Sequence, residues 1–498
     1  MFATVIAQLR TAASIGFGKP FAPWALNHLI DAIIATKREF GAADVEDAGF
    51  LGGPVMNEET QREVQARHFR NQAVRGAQET AYYEHLFTRL GLDPARLSFE
   101  DIAHVPPTPK AALREAPGAF VRRTATPSFR ATTTGTTGKP TSVYFSAHEM
   151  QTYIALAANS FLFSGNIDAS DIVQISTSSR AALGNTCFAG ACIRIGALAH
   201  LAGLVDPVHT LRLLSEEHRI PGKKPKISYL ATYSSYLGEL VECGLQQGYR
   251  PQDFGLECIS ISTEIASEGL KARARRLFGP VQFDETYSMT ETWPFSGQTC
   301  SEGHLHFESV PGLLEVISPE TGAPASAGEV GTIVATPLPP YRDTTILLRY
   351  DTQDVVRPVA GPFTCNLRNL QATTRLLGKL SLSIRHEHGW TFPRDVLEAL
   401  EGSDDVPLPA RYGFWEVPEG VAVEVVTREV GPKVRRAIEA RLEEQGVPVR
   451  QLRLVGHRSE LRRPVPLRCD LREMSFSTPS DTNPDLELAL NGLTVRGN

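Results

Sequence analysis

Between Ala131 and Glu291 the chain alternates strand-like and helix-like stretches, which restricts the available folds more than any other feature. IVQIS, KISYLATY and ECISIS are short apolar runs that read as buried strands, whereas TYIALAANSFLF and EGLKARARRLF carry helical spacing. Such alternation predicts an α/β domain with an open, largely parallel sheet. Residues 1 to about 90 read mainly as helix, from LNHLIDAII and from the run Glu58 to Leu90. Four prolines then interrupt HVPPTPKAALREAPGAF, leaving one short helix over Lys110 to Glu115. After Glu291 the runs LLEVIS, GTIVAT and TILLRY predict a smaller β-rich subdomain over 292–377. A small α+β domain is expected over 378–498, after an N-terminal domain of residues 1–377.

At 498 residues the chain exceeds one ordinary core of ~150 residues. With 56 acidic against 50 basic side chains, the charge of −6 leaves no footprint for nucleic acid or an anionic membrane. Seven irregularly spaced cysteines argue against a disulfide scaffold. The N-terminus has Arg10 inside its apolar stretch and no basic region ahead of it, so no signal peptide is expected. Tyr153 to Phe163 is shorter than a ~20-residue membrane span, and Arg194 and His200 interrupt the apolar run from Cys187 to Val205. A soluble, cytoplasmic protein is expected.

Three segments have the chemistry of a nucleotide site. In TTTGTTGKP, Thr132 to Pro140, two glycines permit close backbone approach, and five hydroxyls with Lys139 suit phosphate oxygens. Only two residues separate Gly135 from Gly138, against four in the phosphate loop of nucleoside-triphosphatases, so that fold is not implied. In FDETYSMTETW, Tyr287 could cover a heterocycle and Glu291 could ligate Mg²⁺. In LLRYDTQDVV, Asp354 could accept hydrogen bonds from ribose hydroxyls. Each segment alone also fits a plain structural role: a polar loop, a strand end or a turn.

Taken together, TTTGTTGKP, YSMTE, AGEVGTIVAT and RYDTQD resemble the nucleotide motifs of the acyl-adenylate-forming superfamily. PPTPKAALRE and GKLSLSIRHEHGWTFP resemble its phenylacetate-CoA ligase branch. The resemblance implies ATP and Mg²⁺ as cofactors, with Thr133, Thr134, Gly135, Thr136, Thr137, Gly138 and Lys139 on the β- and γ-phosphates. It implies Glu264 and Glu285 in the ATP site, Tyr287 on adenine, Thr290 near the α-phosphate, Glu291 on Mg²⁺ and Asp354 on ribose. Lys379 takes the basic position after Gly378. Catalytic roles are thereby expected for Lys139, Thr290, Glu291 and Lys379.

Against the family pattern, Leu380, Ser381 and Leu382 leave no hinge aspartate, and the position of a C-terminal lysine ahead of Asp470-Leu471-Arg472 falls near Pro464. Arg462 and Arg463 are nearby, but a guanidinium fork does not substitute freely for an ammonium. These absences put CoA thioester synthesis, the family default, in doubt. The expectation is adenylation of a small aromatic carboxylic acid, followed by transfer to a small amine or hydroxyl acceptor in secondary metabolism. A CoA ligase and a non-catalytic nucleotide-binding scaffold are the alternatives. Small residues Ala181, Gly184 and Gly190, with Arg180, are candidates for the acyl pocket, against close helix packing as the plain reading. Relatives carry a structural zinc site where Cys300, His306 and Cys365 fall, with His304 as a spare ligand and Phe363 where a further cysteine is expected. Homodimerisation is left open.

Overall fold

The computed structural model describes residues 2–40, 58–133, 140–387 and 389–467. Four helices, α1 (Phe2–Phe17), α2 (Pro23–Phe40), α3 (Glu58–Glu79) and α4 (Ala81–Leu90), form the expected helical arm. The run from Glu58 to Leu90 is split at Thr80, whose side chain accepts from Tyr83 N and caps α4. Then come the short α5 (Lys110–Glu115) and the antiparallel hairpin of β1 (Pro127–Thr132) and β2 (Ser142–Ser146).

The central unit runs α6 (Ala147–Ser164), β3 (Ile172–Ser176), α7 (Ala182–Ile195), β4 (Leu198–Leu201), α8 (Pro207–Ser215), β5 (Tyr229–Thr232) and α9 (Ser234–Gln246). It continues through β6 (Cys258–Ser262), α10 (Glu268–Phe278) and β7 (Gln282–Ser288). Strands β4-β3-β5-β6-β7 are parallel in that spatial order. Both faces of this sheet are covered. Ile172, Leu230 and Ile259 pack with leucines of α8, α9 and α10, while Val173, Tyr229 and Cys258 pack with α2, α6 and α7. Burial on both sides explains why these strands read as unbroken apolar runs.

Antiparallel β8 (Ser296–Thr299) and β9 (His304–Phe307) extend the sheet beyond β7. A second sheet contains β10 (Gly312–Ile317), β11 (Gly331–Pro337) and β12 (Tyr350–Val356). The strands β13 (Pro358–Val359) and β14 (Gln371–Thr374) return to β9, and β15 (Gly378–Lys379) pairs with β12. TILLRY is a partial miss as a strand: β12 begins only at Tyr350. The preceding backbone bonds sideways instead, Ile346 N to Phe120 O and Leu348 N to the Tyr83 hydroxyl, and Arg349 has φ +47°. The burial was legible in the apolar composition; its non-local partners were not.

The C-terminal part contains the hairpin β16 (Ile384–His386) and β17 (Gly389–Thr391), helix α11 (Pro393–Glu401), strands β18 (Tyr412–Val417) and β19 (Gly420–Val426), α12 (Pro432–Glu444) and β20 (Val449–Val455). Strands β18, β19 and β20 form one sheet whose apolar residues share a core with α11 and α12. This module seats on α9 and α10 with almost no space between. A Cβ on Gly269 would lie 2.4 Å from the Glu401 carbonyl carbon, and one on Gly238 would lie 2.8 Å from Pro409 N. Among the described residues no helix is long and apolar enough to cross a membrane.

Buried Glu149 holds the hairpin end of α6 against the β11–β12 connection. Its carboxylate accepts from Ser146 N at 2.7 Å, Asp343 N at 2.9 Å and Thr344 N at 3.0 Å, and from the Ser146 and Thr344 hydroxyls. Burial opposes its charge, but buried Arg342 and these donors hold its carboxyl below the ordinary carboxylate range. Glu149→Ala would leave three backbone N–H groups without that acceptor. We expect it to lower the unfolding free energy by about 3 kcal/mol, measured by urea denaturation near neutral pH.

Candidate active site

The chain leaves β3 toward β4 on one side and later returns as β5 on the other, so the direction of winding reverses between β3 and β5. In open α/β sheets such a reversal opens a crevice at the carboxyl ends of the strands. Here Thr232 Oγ1 donates to Ser176 O at 2.9 Å and Tyr233 Oη accepts from Ser178 N at 3.2 Å, bracing its two sides. A cavity of about 500 Å³ opens there, reached by residues that follow β3, β5, β6 and β7.

Three of the motifs converge on this cavity. Thr132 and Thr133 line it where β1 ends. Thr133 N bonds Thr141 O at 2.9 Å and Thr141 N bonds Thr133 Oγ1 at 3.1 Å, closing the base of the Thr/Gly loop. Thr134, Gly135, Thr136, Thr137, Gly138 and Lys139 lie outside the described residues. After β7, Tyr287, Thr290 and Glu291 all line the cavity. Asp354 enters from β12, and the ladder places it directly opposite Lys379 on β15. Lys379 Nζ is 2.7 Å from Asp354 Oδ1, and the Tyr287 hydroxyl donates to Asp354 Oδ2 at 2.9 Å. Burial, then the neighbouring Asp354 charge, pushes the Tyr287 phenol well above its ordinary range.

Glu291 is only 1 % exposed, yet it is held as an anion. Burial, the largest single influence, raises its pKa, but Lys110 at 3.2 Å, a backbone N–H and Lys379 together hold the carboxyl below its ordinary range. The Tyr350 hydroxyl donates to the same oxygen at 3.2 Å. Lys110, in the first turn of α5, is the residue that sequence reading missed. The available signal was a lysine opening a short helix directly after prolines, but nothing local to Lys110 points to Glu291.

Glu264 accepts from Ser235 N at 2.9 Å and from the Ser235 hydroxyl at 2.6 Å. It follows Thr263, a β-branched residue at φ +71°, and Gln353 beside Asp354 stands at φ +62°. Both line the cavity, so strained backbone is concentrated at its wall. The Glu285 carboxylate pairs with buried Lys271 and lies 3.9 Å from Arg375. Hydroxyls at Thr132, Thr133, Thr286 and Thr290, with the cations Lys110, Arg114 and Lys379, make a donor set that suits a polyphosphate. The hard carboxylate oxygens of Glu291 suit Mg²⁺.

No protein-family profile matches the chain. A phenylacetate-coenzyme A ligase of Thermus thermophilus is 27 % identical over 296 residues, a match spanning 57 % of this chain and 62 % of that protein. The 2-hydroxyisobutyryl-CoA ligase in its postadenylation state, with 2-HIB-AMP, superposes with TM-score 0.67 at 18 % identity. That superposition covers 80 % of this chain and 87 % of the ligase. An open conformation of the same ligase, with 2-HIB-AMP and CoA, gives 0.59 at 17 % identity, covering 80 % and 89 %. The fold is that of the acyl-adenylate-forming ligases.

Within the adenylate-forming fold, this chain has its own features. Of the acyl-pocket candidates, Arg180 and Ala181 line the cavity. Gly184 is exposed and Gly190 is not at the cavity wall: a Cβ there would meet Ile154 of α6 at 3.0 Å. At Gly190 close helix packing accounts for the small residue. Past β20 the chain runs back along β18, with Val465 N bonded to Tyr412 O at 2.8 Å, and Val465, Pro466 and Leu467 join the cavity wall. Asp470, Leu471 and Arg472 lie outside the described residues.

Cys300, His304 and His306 place their ligand atoms within 4.8 Å of one another, and Cys365 Sγ lies 3.5 Å from His306 Nε2. His304 therefore belongs to the group, a correction to its reading as a spare. It sits two residues before His306 on β9, so the hairpin carries both rings to the same place. Leu370 O, 3.3 Å from His306 Nδ1, orients that ring, and Phe363 packs against both histidines where a further cysteine was expected.

Glu401 bridges the module to the body of this fold. It accepts from Ser267 Oγ at 2.5 Å and Ala410 N at 3.2 Å, and burial raises its carboxyl from 4.5 to about 7. Below pH ~4.5 both folded and unfolded chains hold this proton; between ~4.5 and ~7 the unfolded chain releases it first, so stability falls as pH rises. We expect Glu401→Gln to remove a loss on the order of 3 kcal/mol across that window. Urea denaturation at stepped pH measures it; an unchanged slope would refute the assignment.

Proposed function

We propose that this chain is an ATP-dependent ligase that joins a small aromatic carboxylic acid to AMP and then passes the acyl group to a small amine or hydroxyl compound. The observation that carries the reading is the convergence of two ion pairs, Lys110–Glu291 and Lys379–Asp354, on one cavity at the sheet's winding reversal. In the first step a carboxylate oxygen would attack the α-phosphorus of ATP and the bond to pyrophosphate would break. Two anions must meet there, so the fixed cations and oriented hydroxyls are asked for most of the rate. Lys110 and Thr290 would face the phosphates, Tyr287 would cover the adenine, and Asp354, held by Lys379, would receive the ribose hydroxyls. Mg²⁺, held through Glu291, would offset charge developing on the phosphoryl oxygens.

In the second step the acceptor nitrogen or oxygen would bond to the acyl carbon, and AMP would leave with the electron pair. An apolar stretch, Val465 to Leu467, lies in the cavity wall beside Pro464, where relatives would carry a lysine. Together with the missing hinge carboxylate, this favours direct transfer to a small acceptor within a closed site. We take the chain to divide at Gly378, into residues 1–377 and 378–498. A CoA thioester remains the second reading, supported by the phenylacetate-coenzyme A ligase match.

The test is pyrophosphate release from ATP and Mg²⁺ across benzoates, hydroxybenzoates, aminobenzoates and phenylacetate, with and without CoA, products being read by mass spectrometry. We expect acid-dependent release, which Glu291→Gln and Lys110→Met each lower about 100-fold. Pro464→Lys is expected to gain thioester formation. Efficient thioester synthesis by the unaltered chain would support the second reading, and no release with any acid would remove both.

We also infer that Cys300, His304, His306 and Cys365 hold a structural zinc ion. The donor set is that of a tetrahedral site, and His304 Nδ1 is buried without a hydrogen-bond partner. Metal analysis of the purified chain should find about one zinc per molecule, lost in Cys300→Ser together with thermal stability; zinc-free, fully stable protein would exclude the site.

A further inference from the structure

Strand β6 alternates in burial where its neighbours do not. Every residue of β3 and β5 is buried, as a sheet covered on both faces requires. In β6, which lies between β5 and β7, Ile259 and Ile261 are buried but Ser260 and Ser262 are only half-buried. Successive side chains of a strand point to opposite faces. Ile259 packs on the side of α9 and α10, so the two serines face the side of α6 and α7. The ladder sets Ser260 opposite Asp284 and Ser262 opposite Thr286, both half-buried as well. Thr286 lines the cavity at the winding reversal. The opening therefore continues from that cavity across one face of the sheet, down to Ser260 and Asp284.

Tyr229 of β5 closes the far end, and its hydroxyl donates to Asp284 Oδ2 at 3.1 Å. Half-buried Phe188 of α7 lies beside Tyr229, with ring centroids 5.9 Å apart. Asp284 has no counter-charge in this recess. Burial pushes its carboxyl up, the Tyr229 hydroxyl opposes that, and the charge beside it is the like charge of Glu285. Among the described residues no cation pairs with it. A carboxylate can accept about four hydrogen bonds, and the hydroxyls of Tyr229 and Thr286 leave capacity turned toward the recess.

We propose that Asp284 is a specificity residue for the acid, and that it takes an amino group borne by the ring at the end away from the reacting carboxylate. This rests on the adenylation reading above. From Thr286 to Asp284 the strand advances ~7 Å, about the length over which one aromatic ring separates its carboxyl from a para substituent. The neighbouring rings of Tyr229 and Phe188 suit an aromatic body. An amine supplies N–H donors to the open carboxylate oxygen. A methyl group of the same size supplies none and would leave that oxygen desolvated without a partner.

Two measurements test this: equilibrium binding of 4-aminobenzoate and 4-methylbenzoate by calorimetry without ATP, and pyrophosphate release from ATP and Mg²⁺ with the same two acids. The unaltered chain is expected to favour 4-aminobenzoate at least ~30-fold in both. Asp284→Leu should invert the order, which loss of folding cannot do. Asp284→Asn keeps the size and an acceptor for Tyr229, and should retain the order with the preference cut about 10-fold. Equal use of the two acids by the unaltered chain, binding of neither, or an order that survives Asp284→Leu would overturn the proposal. Pyrophosphate release without preference would do so while leaving adenylation standing. A binding preference lost in Asp284→Leu, with no pyrophosphate released, would instead uphold the assignment of Asp284 and count against adenylation.

Discussion

The two-residue ladder between β12 and β15 is the joint on which the rest of the site depends. It sets Lys379 directly opposite Asp354, and one short ion pair then joins the strand that would hold the nucleotide to the linker that starts the C-terminal module. Tyr287, from the main sheet, completes the tie through Asp354. Three elements from distant parts of the chain therefore meet at one buried carboxylate. Removing Asp354 would take one acceptor from both the buried Tyr287 hydroxyl and the Lys379 ammonium.

Much of this arrangement was legible because it depends on local pattern. Doubly covered strands leave unbroken apolar runs, and IVQIS and ECISIS sit where expected. Tyr287, Glu291 and Asp354 share a cavity because their motifs end strands that converge there. What escaped reading depends on pairings distant in sequence. Lys110 meets Glu291 only once α5 has docked beneath β12, and TILLRY is buried by α4 and the segment near Phe120 rather than by a ladder. Gly190 illustrates the opposite error: a small residue can mean room for a ligand or room for a neighbouring helix, and only the fold distinguishes them.

The cavity wall is also where local rules are broken. Thr263 and Gln353 adopt left-handed backbone without glycine, adjacent to Glu264 and Asp354. Such residues persist only where surrounding structure holds them, and here each precedes a carboxylate that faces the cavity. The strain accompanies an acidic side chain just past the end of β6 at Glu264 and one within β12 at Asp354.

The backbone-to-backbone seat at Gly269 and Gly238 bears on how the module can move. Helices separated by side chains can creep past one another by small rotamer adjustments, a shear. At these two glycines no side chain stands between the surfaces to readjust, and a sideways step drives the Glu401 or Pro409 backbone into a helix. If the module turns, as the proposed ligase cycle asks, it must therefore lift clear first, in a discrete jump between seated and unseated positions whose rate is set by undocking rather than by the distance travelled.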